Sequence, residues 1–186
     1  MKKIWIVLAL LAGCATTSAG AVGWKLDPAG SEFRFTATFE NAPAAGVFRK
    51  FDASVQFAPD DATGSRIDVV IAVPSADMSS AEINDAIRGP DWFDAARFPV
   101  AEFHSKDVRS LGGNRYLAVG TLRVKDTTKP LEVPFTWTPE GNVATMDGKL
   151  TIDRGAFGVG LGEWRSTKVV GANVDLRFSL HLRKGG

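Results

Sequence analysis

Two histidines, a serine beside one of them and two aspartates three residues apart are the groups in this 186-residue chain whose types could do chemistry. His104 and His181 are the only histidines and Cys14 the only cysteine. A zinc-like site needs three or four such ligands converging on one point. His104 lies in a polar run and His181 on the polar side of another, so both read as solvated side chains and no metal site is assigned. Ser105 follows His104 directly, but neighbours along a strand point to opposite faces. The chain has no serine elbow and no reactive thiol for nucleophilic catalysis. Asp91 and Asp94 come close together if they sit on a helical turn, as acid–base work requires. Caps and solvated charges explain them more simply. The run "GVGLGE" at 158–163 lacks the lysine and Ser/Thr of a phosphate loop, and no strand–loop–helix surrounds it. No catalytic residue is assigned.

What stands out instead is aromatic content: twelve Phe and five Trp against one Tyr, in a chain that is 45% hydrophobic. Much of it alternates with polar residues at a period of two, which marks half-buried strands. Phe33, Phe35, Ala37 and Phe39 alternate with Arg34, Thr36 and Thr38. Residues 47–57 place Val47, Phe51, Ala53, Val55 and Phe57 on one side, and Ile67, Val69, Ile71 and Val73 follow. Leu131, Val133, Phe135 and Trp137 form another face, and Val174, Leu176, Phe178, Leu180 and Leu182 the last. Turn signals separate the runs at Pro59-Asp60-Asp61, at 111–114 and at 139–142. About eight strands with one apolar face each predict a mainly β, antiparallel sheet, closed into a barrel or folded into a sandwich. Periodicity alone leaves two interiors open: a filled core, or a cavity for one ligand.

One helix interrupts the strands. Ser79 followed by Glu82 is a capping-box pair, and Ile83, Ala86 and Ile87 make a stripe at helical spacing. Gly89-Pro90 ends that helix and Pro90 suits the start of a second short turn. The stretch "GPDWFDAARFP" (89–99) is therefore expected to be the second half of a helix–turn–helix excursion, carrying Trp92, Phe93 and Phe98 against the barrel.

The first 21 residues read as a targeting segment and leash, leaving residues 22–186 as the folded domain. A basic "MKK" precedes an apolar run too short to span a bilayer. Two processing sites compete: Ala19-Gly20-Ala21 for ordinary signal peptidase, and Leu11-Ala12-Gly13-Cys14, a lipobox in which Cys14 carries the lipid. The lipobox is favoured, which predicts an exported, periplasmic, membrane-anchored lipoprotein. Without Lys2 and Lys3 there are 20 basic and 21 acidic residues, a net charge of about −1. That balance gives no electrostatic case for nucleic acid.

Several motifs together resemble the YceI-like family over nearly all of residues 24–183. They are Gly46-Val47-Phe48, Asp91-Trp92-Phe93, Phe98-Pro99, Phe103-His104-Ser105, Gly120-Thr121-Leu122-Arg123-Val124 with Thr128-Lys129-Pro130, and Ile152-Asp153-Arg154 with Phe157-Gly158. The resemblance implies a lipocalin-like, eight-stranded antiparallel barrel with an apolar channel that binds polyisoprenoids, isoprenoid quinones or fatty-acid-like amphiphiles. It implies no cofactor beyond such a bound lipid. Expected lining residues are Phe35, Phe51, Val69, Ile71, Trp92, Phe93, Phe98, Phe103, Leu122, Phe135 and Phe178, with Arg88, Lys129 and Arg154 as polar groups at the mouth. The family commonly carries an Arg-Asp-x-His-Leu-like run where this chain has Ile83-Asn84-Asp85-Ala86-Ile87, which implies a different or less polar ligand end. The alternative is a structural or interaction lipoprotein with a filled barrel, and a dimer stays open under both readings.

Overall fold

The structure is a computed structural model that describes residues 21–60 and 62–185; Cys14 and nearly all of the targeting segment lie outside them. Ten strands and one α-helix are present among the described residues: β1 (Val22–Phe39), β2 (Ala42–Phe48), β3 (Phe51–Phe57), β4 (Arg66–Ala72), β5 (Ala76–Asp77), α1 (Ala81–Arg88), β6 (Val100–Ser110), β7 (Arg115–Val124), β8 (Thr127–Glu140), β9 (Val143–Asp153) and β10 (Asn173–Lys184). Eight of them close an antiparallel barrel in the order β10-β9-β8-β7-β6-β4-β3-β1, with β1 returning to β10. Closure removes most of the free sheet edges that an open sheet would expose. β1 is long enough to serve three neighbours. Val22–Lys25 pair with β3, its register against β10 shifts between Asp27 and Glu32, and Arg34–Phe39 pair with β2. β2 and β5 thus extend the wall beyond the ring.

The period-two faces point inward as expected in β3, β4, β8 and β10. One phase differs. The run 47–57 is two strands broken at Arg49–Lys50, so Phe48 and not Val47 is the buried neighbour of Gly46. Ser105 is buried for a structural reason: its Oγ accepts the Ile67 N–H at 2.7 Å beside a bulge between Ser105 and Asp107.

The barrel is filled at one end by aromatic rings. Phe57 meets Tyr116 and Trp137 with ring centroids 4.8 Å apart in each case, and Trp137 meets Trp24 at 5.0 Å, all edge-to-face. Phe135 stacks on Tyr116 at 5.5 Å. Such pairs add about 0.5–1.5 kcal/mol each beyond the area they bury.

The other end is covered by α1 and two loops. The helix cap is Ser80, whose Oγ accepts from Ile83 N–H, and not Ser79 as the capping-box reading has it. Asp77 explains the shift by one residue. Its Oδ1 takes the Ser79 N–H at 2.8 Å and the Asn84 amide at 3.0 Å, leaving Ser79 with φ of 61°. Those two bonds, with Arg49, hold the Asp77 carboxyl down to about 2. The stretch 89–99 forms successive turns and no second helix. Trp92 and Asp94 N–H both bond Gly89 O, and Asp94 has φ of 48°, a left-handed residue that a helix cannot accommodate.

Two buried cations fasten these loops. Arg154 is 5% exposed and every guanidinium donor is used: Nε on Gly171 O, Nη1 on Val159 and Gly160 O, Nη2 on Trp164 and Val170 O, all 2.7–3.0 Å. Gly160 sits so close, at φ of 77°, that a Cβ there would collide with Nη1. Lys125 Nζ donates to Trp92 O at 3.0 Å and Gly158 O at 2.9 Å, tying the two loops together. Asp91 O adds bonds from Gly160 and Leu161 N–H. Arg154→Met, with matched bulk but no donors, leaves five inward carbonyls unpaired and is expected to cost about 3 kcal/mol or more. Arg154→Lys restores less than half, because one ammonium cannot span the planar fork. Urea unfolding, together with protease cleavage inside residues 155–171, reads both effects. Wild-type stability in Arg154→Met would contradict the fastening role.

An apolar cavity as the candidate site

Beneath the fastened loops the barrel is hollow. A cavity of about 460 Å³ lies among 26 residues, 24 of them apolar, and Glu82 and Arg154 are the two charged ones. A smaller space of about 70 Å³ adjoins it farther into the barrel, sharing Phe33, Ile71, Leu122 and Leu176 as wall. The large cavity falls within the range of pockets that bury most of a drug-sized ligand. Its rim reaches solvent at Phe39 and Ile83, 43% and 44% exposed, between the β1–β2 hairpin and α1.

The wall owes its shape to alternation and to glycine. Phe35 pairs across β1–β2 with Gly46, and Phe178 across β10–β9 with Gly148. In each case the ring lies where a Cβ would otherwise stand, which lets an aromatic lie flat on the wall instead of filling the lumen. Phe35 and Phe48 rings meet at 5.0 Å and Phe48 meets Phe93 at 6.2 Å, so the hairpin touches the aromatic stretch over the opening.

Of the sequence-nominated apolar residues, Phe35, Ile71, Trp92, Phe93 and Leu122 line the large cavity. Val69, Phe103 and Phe178 line the small one. Phe135 lies in the aromatic plug at the opposite end. Phe51 packs on Phe33, and Phe98 lies under the Arg97 guanidinium at 5.0 Å; both are outside the two linings. Sequence reasoning passed over Phe33, Phe48, Val124, Phe157, Val159 and Trp164, which also wall the large cavity. For the last three, the available signal was Arg154 followed by four glycines within eight residues, a loop whose exposed carbonyls call for a buried donor.

The polar nominees separate. Arg154 is in the cavity wall with its donors spent on the protein. Burial pulls its pKa below the ordinary arginine value, against the opposing effect of Asp153. No carboxylate forms an ion pair with it among the described residues, so it contributes positive potential and no free donor. The Trp92 ring stands 5.7 Å from it. Arg88 donates to Pro74 O at 3.0 Å and pairs with Asp85, away from the lining. Lys129 is exposed on β8. His104 bonds Asp68 at 2.7 Å on the outer wall, beside Glu102, whose carboxyl Arg123 holds below the usual range. The described residues contain no group of three His, Cys, Asp or Glu placed to hold a metal ion.

The positions where the family's basic residue and histidine are replaced, Ile83 and Ala86, both face the large cavity. Asn84 between them is spent on Met78 N–H and Asp77. The opening is therefore apolar apart from Glu82.

Comparison with known proteins agrees with this geometry. A UPF0312 protein of Yersinia pestis is 32% identical over 129 residues, covering 67% of this chain and 66% of the relative, just under two thirds of its length. The crystal structure of Burkholderia cenocepacia BcnA is 38% identical, with a TM-score of 0.82 over 84% of this chain and 98% of its own. A polyisoprenoid binding domain from Saccharophagus degradans, implicated in plant cell wall breakdown, shares the fold at 15% identity, with a TM-score of 0.71 over 88% of this chain and 99% of its own. The YceI-like domain profile matches residues 24–182, and the chain belongs to that family.

Proposed function

We propose that this protein binds a single apolar chain, isoprenoid-like or fatty-acid-like, in the hollow half of its barrel. The observation that carries the reading is the 460 Å³ cavity with 24 apolar residues in a wall of 26. Removing hydrocarbon from water contributes roughly 0.8 kcal/mol per buried CH₂, so a dry tube suffices without elaborate polar recognition. The Saccharophagus degradans domain, described as polyisoprenoid binding, supports the ligand class. Glu82 at the rim and apolar Ile83 and Ala86 beside it fit a ligand whose outer end is weakly polar or at most singly charged better than a phosphorylated one. The role is holding or carrying the ligand: among the described residues the cavity wall is apolar apart from Glu82 and Arg154, and the Arg154 donors are spent on backbone carbonyls.

Ala86→Trp puts an indole into the cavity from the exposed face of α1, where the barrel core is untouched. Displacement of a fluorescent naphthylamine probe by decanoic acid is expected to weaken at least about tenfold, or about 1.4 kcal/mol, with the melting temperature unchanged. Unchanged affinity would mean that the chain binds elsewhere.

We further propose that the domain works in the cell envelope, tethered through a lipidated Cys14. The apolar run that ends at Cys14 supports this. Cys14→Ser is expected to move the protein from the membrane to the soluble periplasmic fraction. Unaltered fractionation would overturn the anchor.

A further inference from the structure

β8 and β9 run on as neighbours well beyond the end of their ladder. β8 and β9 pair only from Phe135–Gly148 to Glu140–Val143, although β8 continues from Thr127 and β9 to Asp153. Each unpaired tail stays fully paired to its other neighbour, β7 or β10, with no break in register. Continued, the β8–β9 register would set Pro134 opposite Lys149, Glu132 opposite Thr151 and Pro130 opposite Asp153; none of these pairs forms.

Two prolines account for the gap. Trp137 N–H bonds Asn114 O on the β7 side, so alternation turns the even-numbered residues of β8 toward β9. Pro130 and Pro134 are both even and bring no N–H to that edge. Asn142 O accepts from Lys184, which by the same alternation turns Lys149, Thr151 and Asp153 toward β8. Two of the three pairs that would close the wall therefore lack a donor.

The gap opens onto apolar space. Leu131 from one lip and Leu150 from the other wall the small cavity, and Ile152 walls the large one. All three are only partly buried although they point inward. Elsewhere the cavity is bounded by the aromatic plug and by loops fastened through Arg154 and Lys125, apart from the rim at Phe39 and Ile83. We infer that the β8–β9 gap is a lateral subsite through which the distal part of a long apolar chain leaves the barrel, its remainder lying in the cavity. An inserted peptide strand is disfavoured, because it needs the donors that Pro130 and Pro134 withhold; a hydrocarbon chain needs none. The inference rests on the proposed apolar-chain binding and assigns it a length dependence: short chains lie wholly inside, long ones use the gap.

Decanoic and eicosanoic acids as competitors of the naphthylamine probe test it. Leu150→Trp fills the gap from one lip, and Leu131→Trp fills it independently from the other should the first fail to fold. Either is expected to weaken eicosanoic acid at least about tenfold more than it weakens decanoic acid. In the unaltered protein, amide exchange of Glu132 and Thr151 is expected to slow at least about threefold on loading with eicosanoic acid and to stay constant with decanoic acid. Equal effects on both acids, or eicosanoic binding and exchange that ignore the gap, would overturn the lateral subsite while leaving cavity binding intact. Failure of both acids to bind the unaltered protein would overturn cavity binding itself, and the subsite with it.

Discussion

The hollow half of this barrel depends on one guanidinium. Covering a cavity with irregular loops turns backbone carbonyls inward, away from water, and each needs a donor. Arg154 supplies five N–H groups from a single point at the end of β9 and satisfies five carbonyls of the loop it begins. The cost is a buried cation with no carboxylate in an ion pair with it among the described residues, and its lowered pKa records that cost. Charge-assisted bonds, stronger than neutral ones, offset it. Lys125 repeats the device on a smaller scale by joining Trp92 O to Gly158 O. The loop after Arg154 carries only two short 3-10 turns, Gly155–Phe157 and Gly162–Arg165, and a single bridge from Val170 to Phe39, so these two side chains do much to fix the aromatic cover.

The two ends of the barrel divide labour. Aromatic rings at Trp24, Phe57, Tyr116, Phe135 and Trp137 interlock edge-to-face, providing a core dense enough to stabilise a disulfide-free domain. Away from that plug, rings are laid against the wall, over Gly46 and Gly148, and leave volume unfilled. Hydrophobic residues there are stabilising chiefly through the wall they form, and an apolar ligand would add the contacts that the empty lumen lacks. The filled barrel and the hollow barrel, alternatives from sequence, thus occur in one molecule at opposite ends.

The strands were legible because alternation is local: β4, β8 and β10 each carry an unbroken inward face in the sequence. What alternation does not encode is height along the barrel axis. Phe35 and Phe135 have the same pattern and both point inward, yet one walls the cavity and the other sits in the plug, because register and closure against β10 set their levels. Local competition also escaped the pattern. Asp77 takes the Ser79 N–H and moves the helix cap to Ser80, and left-handed Asp94 replaces a second helix with turns. Arg154 was visible as a polar residue near the opening. Its role was not, because its partners are carbonyls that every sequence possesses and only the loop's path brings together.

On this reading one apolar chain occupies the hollow half in the cell. Native mass spectrometry of the full chain, purified from its own envelope without organic solvent, tests this most directly. A single bound amphiphile is expected at about one per barrel, released by organic extraction and identified as a long-chain isoprenoid or acyl lipid. Protein that carries no amphiphile, and takes up none when the envelope's extracted lipids are returned to it, would contradict it.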